Sequence, residues 1–232
     1  MYQFAQFLVW YLVFVFSTTC HEAAHAFVAH RGGDNTAYSH GHVTLDPLPH
    51  IRREPFGMVL VPILSFVQLG WMIGWASVPY DPQWGSRYPR RWAVMSLAGP
   101  ATNFLLALVA FVALRALSSA GYFHLENVGG TSVGLVQLPI GTELNSAQGA
   151  LALALSVMLQ MNVILGLYNL MPIPPLDGAA VVEGLAPPVV ARLYARFREI
   201  PMAPLLGLLL AWWTFPILMR PAFRLMAIAL YS

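Results

Sequence analysis

FAQFLVWYLVFVFSTTCHEAAHAFVA, residues Phe4 to Ala29, is the stretch whose reading decides the fold. Its 26 residues make a helix of about 39 Å, more than the roughly 30 Å of a bilayer's hydrocarbon core. Inside this apolar run stand His21, Glu22 and His25. Residues four apart on a helix are rotated by about 400°, so His21 and His25 share a face one turn apart, with Glu22 beside them. Ionisable groups in a spanning segment cost on the order of 2.5–3.5 kcal/mol each, and three together require a compensating partner such as a bound cation. His-Glu-x-x-His on a helix is the spacing of a water-activating zinc site, two imidazole ligands with a carboxylate next to the first. The competing reading, two histidines satisfied by core hydrogen bonds, suits a soluble helix better than this one.

Working outward, 58% of the 232 residues are hydrophobic and 9% are charged, against roughly 25% charged in a soluble domain. That composition defines an integral membrane protein. The formal charge of +2 is carried by scattered arginines, with no basic patch, so nucleic acid is not an expected partner. The arginines fall evenly on the two sides of the expected topology, and orientation is left open. A single cysteine, Cys20, excludes an internal disulfide. No basic segment precedes the first apolar run, which flows into the metal motif without a cleavage-like break, so it is expected to be retained.

The apolar runs predict an α-helical polytopic protein forming one membrane-embedded core, with spans at 4–29, 57–76, 93–114, 150–171 and 202–219. Residues 222–230 are too short to cross alone, so five or six membrane segments are expected. Between the first two spans, 32–55 forms a polar insertion in which Val43 and Leu45 alternate with His42 and Thr44, the pattern of a short strand. A strand edge beside a hydrolytic site could hold a peptide extended, and an ordinary connecting loop is the equal alternative.

A hydrolytic zinc site takes three protein ligands and leaves a fourth position for water. The third ligand has several candidates: His40, His42, His50, Asp46 and Asp177, with His124 and Glu143 more remote. Asp177 is the most telling, because it closes Asn169-Leu-Met-Pro-Ile-Pro-Pro-Leu-Asp177-Gly178, where three prolines end the fourth span and Gly178 permits a sharp turn. Broken backbone at membrane depth must face protein or a wet cavity. A polar route for water from the side of Arg31, lined by His30, His40 and the amides of the fourth span, is expected.

Three motifs together, His21-Glu22-Ala-Ala-His25, Gly99-Pro100-Ala-Thr-Asn103 and Pro172-Ile-Pro174-Pro-Leu176-Asp177-Gly178, resemble in order and spacing the site-2 protease family of intramembrane zinc metalloproteases. The likeness runs from Phe4 to Gly184 and is to the compact prokaryotic form without PDZ or CBS domains. It implies His21, His25 and Asp177 as ligands of one Zn2+ per chain and Glu22 as the catalytic carboxylate. Asn103 matches a family asparagine on the substrate side, and His42 joins it as a candidate substrate contact. The implied activity is hydrolysis of peptide bonds in or near transmembrane segments, in a multi-pass protein of a prokaryotic cell membrane, with transmembrane proteins as substrates and the lipid bilayer as setting. Asp46, where many relatives have Asn, and Arg52-Arg53, where an acidic residue often follows, depart from the pattern and leave that loop without an assigned role. The alternatives are a membrane metallopeptidase acting on non-transmembrane peptides, for which Glu183 would be the later ligand, and a metal transporter or binding protein. A transporter would require an internal repeat, and the chain has none of its motifs repeated.

Overall fold

The first helix, α1 (Tyr2–Gly32), is unbroken because nothing in its apolar sequence interrupts it before Gly32-Gly33. Gly33 adopts a left-handed φ of 98°, its N–H meets the His30 carbonyl at 3.1 Å, and the Asp34 N–H meets the Ala29 carbonyl at 2.9 Å. That pair of bonds is a Schellman stop, and it caps α1 where the polar insertion begins. This computed structural model describes residues 2–122 and 147–231, and among them every regular element is helical. His124 and Glu143 lie outside the described residues.

After α1 come the short helices α2 (Thr36–Ser39) and α3 (Pro47–Arg53). The strand expected around Val43 and Leu45 does not form; these residues are successive bends. The reasons are local: Gly41 turns the chain at φ 75°, the His42 N–H closes onto the Ala37 carbonyl at 3.0 Å, and Asp46 caps α3 by accepting from the Leu48 N–H at 2.9 Å. Side-chain and turn bonds here take the donors a ladder would need.

The second expected span, 57–76, is also shorter than its hydropathy suggests. A π-helical turn at Phe56–Leu60 leads into α4 (Val61–Leu69), which ends where Gly70 enters the left-handed region at φ 76°. The chain then runs without regular structure to Asp81, which caps α5 (Pro82–Arg87). Gly74 lies against Phe14 of α1 and Pro62 of α4, whereas Gly70 ends the helix.

Among the described residues four helices are long and apolar enough to cross a membrane: α1, α6 (Pro89–Ser119), α7 (Ala147–Asn169) and α10 (Ala203–Tyr231). The segment 222–230 is no separate span. It continues α10 through Pro216 and Pro221. Between α7 and α10 lie α8 (Asp177–Leu185) and α9 (Pro188–Arg198).

The centre of the assembly is α6, which packs on α1, α7 and α8. Trp10, Val13 and Phe14 of α1 are buried against Val157 and Met161 of α7, and Ala107, Ala110 and Leu114 of α6 against Ala152 and Leu159. Small residues set the spacing, since Gly166 receives the Phe104 ring and Gly184 abuts the Pro89 carbonyl. The apolar side chains Leu209, Trp213 and Ile217 of α10 point outward, as a lipid-facing surface does.

Candidate metal centre

One turn of α1 carries His21, Glu22 and His25, all buried. His21 lies 11 residues and His25 seven residues before the end of α1 at Gly32, so the pair sits about 10–16 Å of helix below that end. Their Nε2 atoms face each other at 2.9 Å. Asp177 reaches them from the first turn of α8: its Oδ2 lies 3.1 Å from His21 Nε2 and 3.2 Å from His25 Nε2. The turn that delivers it depends on Gly178, where a Cβ would collide with the Leu170 and Met171 carbonyls at the foot of α7.

The outer ring nitrogens settle the tautomers. His25 Nδ1 is 2.7 Å from the Met95 carbonyl oxygen, which only accepts, so this nitrogen carries the proton. His21 Nδ1 is 2.5 Å from Asn103 Oδ1 and is likewise the donor. Both Nε2 atoms therefore present lone pairs, and the Asp177 carboxylate adds a third acceptor. Three acceptors within 3.2 Å of one another, with no donor between them, are mutually repulsive until a cation lies among them. Their separations of 2.9–3.2 Å approach the roughly 3.3 Å edge of a tetrahedron with bonds near 2.0–2.1 Å, so the donor set fits zinc. The Glu22 carboxylate falls within the same cluster, inside 4.8 Å of the histidine nitrogens.

The floor of the centre is backbone. Gly99 of α6 lies directly under the two Nε2 atoms, and any Cβ there would land on them. This gives the Gly99-Pro100 motif its purpose, because only glycine lets α6 approach so closely.

The remaining candidates are elsewhere. Asp46 caps α3, and exposed His40 bonds the Thr36 carbonyl. Glu183 is ion-paired with Arg198. Asn103 is completely buried behind His21, its oxygen on Nδ1 and turned from the acceptor cluster. His42 and His50 form a buried pair, ring centroids 5.3 Å apart, and α3, which carries His50, packs on α1. Neither Nδ1 has a hydrogen-bond partner among the described residues. Burial, followed by the neighbouring His50, Arg53 and His40, holds the His42 imidazole below its ordinary pKa.

The amides expected along a water route divide. Asn162 is fully buried and bonded to Asn103, while Asn169 returns to the Leu165 carbonyl at 3.0 Å. His30 is bonded to Asn35 at 2.7 Å and stacked on Tyr38. A polar cleft of about 690 Å³, lined among others by Asp34, Asn35, His40 and Asp81, opens at the capped end of α1 rather than at the centre. Sequence reading missed the Met95 carbonyl, which no side-chain pattern reports, and the link from Asn162, for which an amide inside an apolar span was the available signal.

A helical membrane protein whose spanning helix bears His-Glu-x-x-His closed by a distant aspartate has the ligand chemistry of the membrane metallopeptidases. The chain belongs to peptidase family M50, the site-2 protease family, whose sequence profile matches residues 9–212. It is 34% identical over 180 residues to a Bacillus subtilis protein named "Putative zinc metalloprotease YwhC", covering 77% of this chain and 69% of that one. A Mycobacterium tuberculosis protein of the same description, Rip2, is 31% identical over 195 residues, covering 84% of this chain and 64% of its own length. Rip2 of Mycolicibacterium smegmatis is 28% identical over 183 residues, 79% of this chain and 59% of its own. No solved structure matches the chain. Family and relatives identify the ion as Zn2+.

Proposed function

We propose that this protein is an intramembrane zinc metalloprotease that hydrolyses peptide bonds in or near the transmembrane segments of membrane-protein substrates. The observation that carries the reading is the convergence of two imidazole lone pairs of α1, a helix long and apolar enough to cross a membrane, with one carboxylate oxygen of α8, beside Glu22. His21, His25 and Asp177 would hold the zinc, whose bound form supplies Lewis acidity that acidifies water and polarises a carbonyl. Glu22 takes the proton from the attacking water on its carboxylate and returns it to the departing amine, one group serving as base and then acid. His25 and His21 are locked by their Nδ1 bonds and keep the ligand face rigid. His42 and His50 bring unpartnered buried ring nitrogens, and we assign this pair to contact with the substrate peptide. The bilayer supplies the substrate laterally, and the four long apolar helices among the described residues support a multi-pass cell-membrane setting.

The test is cleavage of a panel of single-span peptides in detergent by wild type and Glu22→Gln, with zinc measured in both. Zinc in both proteins and cutting by wild type alone supports the assignment. Cleavage confined to water-soluble peptides would transfer it to the non-transmembrane class.

A further inference from the structure

Behind His21 lies a line of buried polar groups that crosses three helices. Asn103 of α6, whose oxygen faces His21 Nδ1, gives its amide nitrogen to Asn162 Oδ1 of α7 at 2.8 Å. Asn162 in turn donates from Nδ2 to Ser17 Oγ of α1 and to the Met158 carbonyl of its own helix, each at 2.9 Å. Ser17, Asn103 and Asn162 are all fully buried, so a lost partner leaves a polar group unpaired in the interior.

The direction of every bond in this line is forced from one end. The Met158 carbonyl can only accept, so the NH2 of Asn162 must face it and its oxygen must face Asn103. An oxygen there admits only the NH2 of Asn103, which turns the Asn103 oxygen to His21. That oxygen requires a proton on His21 Nδ1 and frees Nε2 as a ligand. His25 needs no such device, because its Nδ1 meets the Met95 main chain.

We infer that Asn162 is a positioning residue for the metal centre: through Asn103 it dictates the tautomer of His21, although it touches neither the ligand cluster nor Glu22. The inference rests on the zinc reading above for its consequence, and on the hydrogen-bond geometry alone for its mechanism. Without Asn162, the Asn103 amide is free to flip and present NH2 to Nδ1, which would move the proton to Nε2 and remove a ligand. A carboxylate at 103 accepts through either oxygen and so needs no instruction from Asn162.

This gives a test that packing damage cannot imitate. The full chain is purified in detergent as wild type, Asn162→Leu, Asn103→Asp and the double variant. Zinc affinity is measured by chelator competition, and the His21 tautomer of the zinc-free protein by imidazole 15N shifts. Asn162→Leu should weaken zinc about 10–100-fold, the usual cost of losing a ligand's outer hydrogen bond. Adding Asn103→Asp should restore it to within about threefold of Asn103→Asp alone, with His25 unchanged throughout. Wild-type affinity in Asn162→Leu, or a double variant as weak as Asn162→Leu, overturns the inference, as does an Nε2–H tautomer of His21 in the wild type. Should Asn162→Leu not accumulate, Asn162→Ala takes its place in the single and the double variant with the same expected order, and equal weakening of the two refutes the inference. None of these readouts uses peptide cleavage. A protein that shows this order of affinities and cuts no peptide supports the inference while removing the proteolytic reading.

Discussion

The two ends of the helical assembly obey different rules. Where α1, α6 and α7 meet, polar side chains lie in the interior, and Ser17, Asn103, Asn162, His21 and His25 each have a partner. Along α10, by contrast, the outward face is Leu, Trp and Ile, with Trp212 stacked on Trp71, while the inward Phe215 ring lies edge-on to Tyr168. Apolar contacts give no helix pair much preference within lipid, whereas a buried hydrogen bond specifies one arrangement. The first region is therefore the one where a single atom matters, and substitutions in the two should differ by orders of magnitude.

The sharpest break in that contrast is Glu22→Gln, which should retain zinc while slowing peptide cleavage at least about 100-fold, read by product formation and metal analysis on the same sample. Retained cleavage would move the base elsewhere. Next is Gly99→Ala, whose methyl lands on the two Nε2 atoms; zinc affinity should fall about 10–100-fold, the equivalent of the 1–3 kcal/mol typical of overpacking. Unchanged affinity would mean that α6 gives way and the floor is soft.

A smaller effect belongs to Asp34, at the capped end of α1. Burial pushes its carboxyl up, but bonds from the Thr36 hydroxyl, the Asp81 N–H and the Thr36 N–H outweigh burial and hold it below the ordinary range. A depressed carboxyl contributes stability above its unfolded value and loses it as pH falls through the folded one. Asp34→Ala should cost about 1–3 kcal/mol at neutral pH by thermal unfolding in detergent, with the gap from wild type closing in acid. A gap independent of pH would assign the loss to packing. Least affected should be Trp213→Ala on the outward face of α10, with stability altered by less than about 0.5 kcal/mol and zinc affinity unchanged. A large loss there would show that this face is covered in the membrane.

How much of this was legible beforehand follows the same division. His21, Glu22 and His25 could be read together because helical periodicity alone puts them on neighbouring faces, and Asp177 because prolines and Gly178 announce a forced turn. Hydropathy located α1, α6, α7 and α10 but overran α4, since it is blind to the left-handed Gly70 that ends that helix. It also split α10 at Arg220-Pro221, which the helix passes through as it does Pro216. Val43 and Leu45 have the alternation of a strand, yet their neighbours supply nearer hydrogen-bond partners. The placement of Asn103 was beyond reach, as it depends on how α6 is rotated against α1.

The two imidazoles also differ in how they can be lost by inheritance. The group that steadies His25 belongs to the main chain of Met95, which every amino acid at that position would supply. The group that steadies His21 is written in a single codon for Asn103 and a second for Asn162. Random mutation can therefore disarm one half of the pair from a distance, and the other only by replacing the histidine or displacing the helix beneath it.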